Sequence, residues 1–305
     1  MKYRNLGSTD IRLSLIGVGT HQFGGDWGIP FSQKEVNSIM STAQQNGINI
    51  VDTAPCYGPD NLSEKLIGKY ITNNRDEWFI STKFGQKYNI STKKEISDFT
   101  LPNIEKQFQQ SLKNLKTDYI DLYQFHSGNN LEFDNEDLWA FLHNQVDNGA
   151  IKALGVSFSH NLVNDGDTHQ LDGVKNLGLD FVQLVYNRIT KVAEEKFLPF
   201  CKKNKIGVLS RVPLAKGFLS GNYQPGHRFS KDDHRHKFGN TMNDLLLKKV
   251  DKIKKKEVPP NINMSEWSLG WCLNNKAITS VIPGCKNMDQ VKSNASSLKY
   301  LKNVK

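Results

Sequence analysis

Four side chains of the types that transfer protons follow apolar, strand-like segments of this sequence. Asp52, Lys83 and His126 each stand at the end of such a segment, and Tyr57 follows Asp52 in the next turn. Taken singly, each has a structural explanation, because an Asp can cap a helix and a Tyr, Lys or His can be packed or paired in a core. Together, an acid, a phenol, an ammonium and an imidazole at neighbouring strand ends exceed what packing requires, and they indicate an active site.

The proton affinities of these groups assign a role to each. A phenol has a pKa near ~10 and is a poor acid at neutral pH, but a neighbouring ammonium stabilises the phenolate and lowers that pKa. We therefore expect Tyr57 beside Lys83 to donate a proton, and Asp52 to hold Lys83 charged and fixed. His126 is expected to donate a hydrogen bond to a carbonyl oxygen or to pass on the proton. Such a set can protonate a developing alkoxide, but it lacks a reductant. Cys56, next to Tyr57, is expected to be a small neighbour in the turn rather than a nucleophile.

The composition is that of an ordinary globular protein. With 37% hydrophobic and 23% charged residues, a sizeable core can form. No apolar run approaches the about 20 residues that span a bilayer, and the first residues lack the apolar region of a signal peptide, so we expect a cytoplasmic protein. The 4 cysteines form no Cys-x-x-Cys or Cys-His cluster, which predicts free thiols and no metal site. The net charge of +9 is spread along the chain without a nucleic-acid motif, and it favours an anionic cofactor or substrate over nucleic acid.

Short apolar runs alternate with segments of helical period, as is typical of strand-helix units around a parallel sheet. The predicted strands are 15–19, 48–52, 78–83, 119–125, 153–157, 181–185, 207–211 and 279–282. The predicted helices are 33–46, 61–72, 101–115, 135–148, 192–204, 245–256, 265–274 and 288–296, with a weaker pattern over 161–178. This order predicts one α/β domain over residues 1–305, a (β/α)₈ TIM-type barrel with its active site at the C-terminal ends of the strands.

Two segments lie outside this alternation. Residues 3–6 and 11–14 flank a polar glycine turn, which predicts an N-terminal β-hairpin placed to close the bottom of the barrel. Residues 221–242 show no clear period and predict an extended loop after the seventh strand.

The spacing of these motifs resembles that of the aldo-keto reductase family over nearly the whole chain. The matching residues are Asp52-Thr53-Ala54, Tyr57-Gly58, Ser63-Glu64, Leu66, Gly68, Ser81-Thr82-Lys83, His126, Gly155-Val156-Ser157, Gln183, Tyr186-Asn187, Pro213-Leu214-Ala215-Lys216-Gly217 and Ile282-Pro283-Gly284. The resemblance implies a (β/α)₈ barrel in which Asp52, Tyr57, Lys83 and His126 form a catalytic tetrad. It implies NADPH as the usual reductant, with NADH possible, bound without a Rossmann fold. Residues 17–22 agree, since they begin like a Gly-x-Gly-x-x-Gly fingerprint but lack its third glycine.

The same resemblance implies where the nucleotide binds. Ser157 and Gln183 are expected to hydrogen-bond the nicotinamide carboxamide, and the loop through Leu214, Gly217 and Leu219 is expected to face the pyrophosphate with backbone amides. The adenosine end is assigned to the start of the last helix, at Gly284, Lys286, Gln290 and Asn294, with Lys286 as the candidate contact to a 2′-phosphate.

Three residues depart from the family pattern at this cofactor site. Phe158 stands where the family commonly has Asn, which puts one carboxamide contact in doubt. Arg211 stands where many members have an aromatic residue that stacks on the nicotinamide; its planar guanidinium can either stack or reach the pyrophosphate. Gln290 replaces an arginine of some branches, which weakens the preference for NADPH over NADH.

The substrate pocket is the least defined part of the sequence. Trp27 follows the first strand, where an aromatic residue either lines the barrel mouth or packs in its loop. The leading hypothesis is an NAD(P)H-dependent oxidoreductase that reduces an aldehyde or ketone, or oxidises the alcohol, with a proton from Tyr57. Two alternatives are a nucleotide-binding regulatory subunit with the same fold and an aldolase that forms a Schiff base on Lys83. The oligomeric state and the small-molecule carbonyl or alcohol substrate stay open.

Overall fold

The computed structural model describes residues 1–25, 30–92 and 94–301. The strands are β1 (Tyr3–Asn5), β2 (Arg12–Ser14), β3 (Val18–Gly19), β4 (Ile50–Asp52), β5 (Phe79–Phe84), β6 (Gln86–Asn89), β7 (Lys94–Ser97), β8 (Ile120–His126), β9 (Ile151–Ser157), β10 (Phe181–Val185), β11 (Gly207–Arg211) and β12 (Ser280–Val281). The helices are α1 (Gln33–Gln45), α2 (Leu62–Ile71), α3 (Leu101–Leu115), α4 (Asn130–Phe133), α5 (Glu136–Asp147), α6 (His160–Asp165), α7 (His169–Asn176), α8 (Phe197–Lys203), α9 (Gly239–Glu257), α10 (Met264–Asn274) and α11 (Met288–Ser296).

Eight of the strands form one parallel sheet that closes on itself. Their order is β3, β4, β5, β8, β9, β10, β11 and β12. The two ends meet through backbone hydrogen bonds, from the Gly17 amide to the Val281 carbonyl at 2.8 Å and from the Val281 amide to the Leu15 carbonyl at 2.9 Å. Gly19 and Gly284 form a further parallel bridge across this seam. The predicted (β/α)₈ barrel is confirmed.

The N-terminal hairpin packs against the barrel as predicted. β1 and β2 pair antiparallel, with Arg4 opposite Leu13. Leu6 and Leu13 are fully buried in a small apolar cluster with inward-facing barrel residues, which are Ile50, Leu122, Ala153, Phe181 and Leu209. This cluster fills the interior of the barrel at the end where the strands begin, so a polar site inside the barrel has room only at the opposite end.

Helix boundaries differ from the prediction where polar contacts outweigh the apolar pattern. α9 begins at Gly239 rather than at 245. Its first turns include the buried Asn243, whose side chain donates to the Arg235 carbonyl at 3.0 Å. The predicted helix 192–204 becomes a 3₁₀ turn followed by α8, since Pro199 lacks an amide hydrogen and fits only the first turn of a helix. The weak pattern over 161–178 resolves into α6 and α7, separated by Gly166 at φ +68°.

The hairpin β6–β7 was not predicted. It follows β5 directly and pairs Gln86 with Ser97 and Asn89 with Lys94. Its residues are mostly polar and exposed or half-buried, so no apolar alternation marks it in the sequence. It contacts the turn that follows Tyr57, and therefore lies beside the C-terminal mouth of the barrel.

Candidate active site at the barrel mouth

The parallel register brings the predicted acid, ammonium and imidazole to one rim. β4, β5 and β8 are consecutive in the sheet, and Asp52 pairs with Ser81 while Lys83 pairs with Gln124. Side chains two residues apart on a strand share a face, so these positions point into the same mouth. His126 completes the row as the last residue of β8.

Lys83 is the centre of the cluster. Its Nζ lies 2.8 Å from Asp52 Oδ2, 2.7 Å from the Thr53 carbonyl oxygen and 3.2 Å from the Tyr57 hydroxyl. Lys83 is fully buried and Asp52 is 3% exposed, so water does not screen the pair. The ammonium is thus anchored by two oxygens and directs its third contact at the phenol, as the sequence predicted.

The second oxygen of Asp52 accepts three further hydrogen bonds. Oδ1 receives the Ser81 hydroxyl at 2.9 Å, Gln183 Nε2 at 2.7 Å and Gln124 Nε2 at 3.2 Å. Gln124 Nε2 also donates to Ser81 Oγ at 2.6 Å. No role was expected from the sequence for Ser81 or Gln124, although each is a polar residue two positions before Lys83 or His126, which puts it on the inward face. They fix the carboxylate that fixes Lys83.

The predicted fall in the pKa of Tyr57 is wrong. Burial, followed by the negative charge of Asp52, raises the pKa of Tyr57 well above the ordinary phenol value, although Lys83 Nζ is 3.2 Å from its oxygen. Desolvation penalises the phenolate, and the Asp52 charge that fixes the ammonium acts against it. Tyr57 is therefore a hydroxyl over the physiological range, which is the form that donates a proton.

His126 is a neutral imidazole beside Tyr57. Its ring meets the Tyr57 ring edge-on, with centroids 6.2 Å apart. Burial, then the charges of Lys83 and Arg211, lower the pKa of His126 well below its ordinary value. A neutral imidazole offers one N–H donor and no positive charge, so His126 suits hydrogen bonding to a carbonyl oxygen. Its Nδ1 lies 3.7 Å from Cys56 Sγ, and burial raises the pKa of that thiol, which makes Cys56 a poor nucleophile.

A second imidazole, His21, was missed from the sequence. It follows β3, and its ring meets Tyr57 edge-on at a centroid distance of 4.9 Å. Burial, followed by nearby positive groups that include His234 and Lys83, lowers the pKa of His21 to about 4. The available signal was its place directly after the first strand. Tyr57 therefore sits between two neutral imidazoles.

The residues predicted to hold the nicotinamide lie next to the tetrad. Ser157 Oγ donates to Gln183 Oε1 at 3.4 Å, and Gln183 Nε2 in turn donates to Asp52. Both side chains are almost completely buried at the ends of β9 and β10. Phe158 is fully buried against Phe197, with ring centroids 5.4 Å apart, so its side chain belongs to the core. Only its carbonyl faces the site, where it accepts Arg211 Nη2 at 3.0 Å.

The predicted pyrophosphate loop has a backbone suited to an anion. Ala215, Lys216 and Gly217 have left-handed φ angles of +48°, +56° and +87°, and Val212 has φ +55°. A valine in this region is strained, at about 1–3 kcal/mol per such residue. Left-handed residues next to right-handed ones turn successive amides toward one side, which forms an anion-binding concavity. Leu214 is half-buried and Leu219 is fully buried, so their side chains are packed and only their backbone is available.

The predicted adenosine site lies at the start of α11. Gly284, Lys286 and Gln290 are exposed, whereas Asn294 is 5% exposed and faces inward. Gln290 Oε1 accepts the Lys286 amide at 2.8 Å, so Gln290 closes the turn that leads into the helix. Hydrogen bonds from Arg235 lower the pKa of Asp233, and the charge of Lys286 adds to this effect, which agrees with a position of this turn near the segment that follows the pyrophosphate loop.

Three further expectations concern Trp27, a metal site and a membrane-spanning helix. Trp27 lies outside the described residues. Within residues 1–25, 30–92 and 94–301, no group of three or more His, Cys, Asp or Glu side chains is placed to hold a metal ion. No helix in the same part of the chain is long and apolar enough to cross a membrane.

Comparison with known proteins agrees with this geometry. The sequence pattern of the Aldo/keto reductase family matches residues 15–303. The chain belongs to this family. It is 33% identical over 239 residues to the aldo-keto reductase YhdN of Bacillus subtilis, covering 77% of this chain and 69% of that protein. It is 26% identical over 318 residues to the NADH-specific methylglyoxal reductase of Escherichia coli, covering 98% and 94%. The holo form of aldo-keto reductase AKR11C1 from Bacillus halodurans matches with a TM-score of 0.79 and 25% identity over 98% of this chain and 91% of that chain.

Membership of the aldo/keto reductase family confirms the predicted class of activity. This aldo/keto reductase is an oxidoreductase of carbonyl compounds or alcohols that uses a nicotinamide nucleotide. The geometry also opposes the aldolase alternative, because the ion pair between Lys83 and Asp52 keeps the amine charged and a charged amine is a poor nucleophile.

Proposed function

We propose that this aldo/keto reductase reduces an aldehyde or ketone with NADPH, and that Tyr57 supplies the proton. The observation that carries the proposal is the contact of the buried Lys83 ammonium with the Tyr57 hydroxyl at 3.2 Å. The family places a nicotinamide nucleotide in the reaction, but it assigns neither the proton donor nor the choice between NADPH and NADH in this chain.

The tetrad can supply the proton that accompanies hydride transfer to a carbonyl group. When bound, the nicotinamide nucleotide supplies the hydride to the carbonyl carbon. Tyr57 gives its hydroxyl proton to the carbonyl oxygen, which becomes the alcohol, and Lys83 stabilises the phenolate that is left. Tyr57 is then reprotonated from solvent. His126, as a neutral donor, orients the carbonyl oxygen toward the phenol.

The mouth of the barrel has features that fit a dinucleotide. The left-handed run through Lys216 and Gly217 forms a backbone cradle for phosphate, and Gly217 has φ +87°, which side chains rarely adopt. Ser157 presents a hydroxyl and Gln183 an amide, and both groups are suited to bind a carboxamide. Lys286 is exposed at the start of α11, where it suits a 2′-phosphate. We assign the adenosine end to Gly284, Lys286 and Gln290, with Asn294 beneath them.

Among the residues assigned to the adenosine end, only Lys286 carries a charge that favours NADPH over NADH. Gln290 supplies no charge, and the Escherichia coli relative is named for its specificity for NADH. Further proposals concern the setting of the enzyme. We infer one barrel domain over residues 1–305, a cytoplasmic location, and contact of Trp27 with a small carbonyl or alcohol substrate.

The test combines nucleotide binding with one substitution. NADPH and NADH are titrated by quenching of tryptophan fluorescence, and a panel of aldehydes and ketones is assayed with the tighter nucleotide. Tyr57→Phe removes only the hydroxyl, so we expect nucleotide affinity to stay within about twofold while kcat falls about a thousandfold. Full activity of this variant would exclude Tyr57 as the proton donor, and failure of the wild type to bind either nucleotide would refute the proposed function.

A further inference from the structure

Arg211 is a cation at the barrel mouth that forms no salt bridge with a carboxylate among the described residues. It ends β11, and its Nη2 donates to the Phe158 carbonyl oxygen at 3.0 Å. Its Nε is buried and has no hydrogen-bond partner among the residues that the structure describes. Within the same residues Arg211 forms no ion pair, in contrast to Lys83, which is paired with Asp52. A guanidinium held by one carbonyl keeps its full positive charge directed at its surroundings.

The field of this charge reaches the groups around Tyr57. Arg211 contributes to lowering the pKa of His126 and of His21, and it opposes the rise in the pKa of Tyr57. The acids within its range are Asp52, which already neutralises Lys83, and Glu95 on β7, which is exposed. Arg211 therefore makes the mouth of the barrel electropositive where the reaction takes place.

The position of the guanidinium places it over the proposed nicotinamide site. Arg211 belongs to β11 and its acceptor, Phe158, directly follows β9, while β10 lies between these two strands. The side chain therefore crosses the end of β10. Ser157 and Gln183, which the proposed function assigns to the nicotinamide carboxamide, are on β9 and β10 under this crossing.

We propose that Arg211 makes the enzyme bind the reduced nucleotide more tightly than the oxidised one. The inference rests on the proposed function for the location of the nicotinamide. The oxidised and reduced forms carry the same phosphates and differ in the ring, which is positively charged when oxidised and neutral when reduced. A neighbouring guanidinium repels only the charged ring. After each carbonyl reduction the nucleotide is therefore held less tightly than before it.

The magnitude follows from the separation of two charges within one site. At an effective dielectric constant of about 20, two like charges roughly 6 Å apart repel strongly enough to change affinity by tenfold or more. We therefore expect wild-type enzyme to bind NADPH at least about tenfold more tightly than NADP⁺. The same ratio applies to NADH and NAD⁺ if that pair is the one bound.

The experiment compares dissociation constants for the reduced and oxidised nucleotides in four proteins. These are the wild type, Arg211→Gln, Arg211→Lys and Lys216→Gln. In Arg211→Gln the ratio of the two dissociation constants should fall about tenfold, whereas Arg211→Lys keeps the charge and should keep most of the ratio. Lys216→Gln is the matched control, because a charge lost from the phosphate loop should weaken both forms alike and leave the ratio unchanged.

Several results would overturn the inference. A wild-type ratio near one refutes it without any variant, so the test does not depend on the folding of Arg211→Gln. An unchanged ratio in a folded Arg211→Gln protein also refutes it. If that variant keeps the ratio but raises KM only for carbonyl compounds that bear a carboxylate, Arg211 acts on the substrate instead. Failure of the wild type to bind either form is a different outcome, which refutes the proposed function itself.

Discussion

Replacing Asp52 with Asn should remove the buried ion pair with Lys83 and leave the other hydrogen bonds of this side chain in place. Asn keeps one oxygen, which can still accept the donors from Ser81, Gln124 and Gln183. Its amide then replaces Oδ2, the atom that lies 2.8 Å from Lys83 Nζ. A donor would face a donor, and the fully buried ammonium would lose its only counterion among the described residues.

Loss of one partner of a buried ion pair costs about 3–5 kcal/mol in the free energy of unfolding. Lys83 keeps the Thr53 carbonyl and the Tyr57 hydroxyl as acceptors, so we expect the lower end, about 3 kcal/mol at pH 7. Without a fixed ammonium the phenolate of Tyr57 is poorly stabilised, and kcat should fall about a hundredfold.

The measurements are urea denaturation at pH 7 and steady-state kinetics under conditions in which the variant is fully folded. Asp121→Asn is the control, because Asp121 is also buried and accepts Arg75 Nη2 at 2.6 Å, but at the start of β8 and away from the mouth. It should lose stability and keep its kcat. Equal losses of kcat in both variants, or an Asp52→Asn protein as stable and active as the wild type, would refute the reasoning.

The other two predictions concern pH and the support of Asp52. The pKa of His126 is lowered well below 6.5 and that of Tyr57 is raised well above 10, so neither group changes charge between these values. We therefore expect kcat for reduction to be flat from about pH 7 to about pH 10. A step in the pH profile that disappears in His126→Gln would contradict this. Gln124→Leu removes one donor to Asp52 Oδ1, so kcat should fall about tenfold while KM for the nucleotide stays unchanged; a rise in KM with unchanged kcat would assign Gln124 to nucleotide binding instead.

The sequence determined the barrel and the location of the candidate catalytic cluster. Eight apolar runs separated by helical segments allow few topologies, and a parallel barrel gathers all C-terminal strand ends on one face. Asp52, Lys83 and His126 could therefore be placed together from their positions at strand ends alone. The helices with a clear apolar stripe, such as α3, were bounded correctly, because burial of one face dominates their energetics.

Tertiary structure decided the contacts that depend on distances between strands. The register of β4, β5 and β8 joined Ser81 and Gln124 to Asp52, and no local pattern encodes which polar residues of neighbouring strands will meet. The hairpin β6–β7 and the start of α9 are held by polar contacts, which leave no apolar periodicity to detect.

The protonation state of Tyr57 was likewise decided only by the tertiary structure. The sequence correctly predicted that the Lys83 ammonium lies beside the Tyr57 phenol. It did not give the strength of that attraction relative to desolvation and to the charge of Asp52. Both opposing effects depend on how deeply the barrel mouth encloses the ring, which is a property of the folded chain. Residue types and strand ends thus determined which groups form the site, whereas burial and register decided their protonation and their partners.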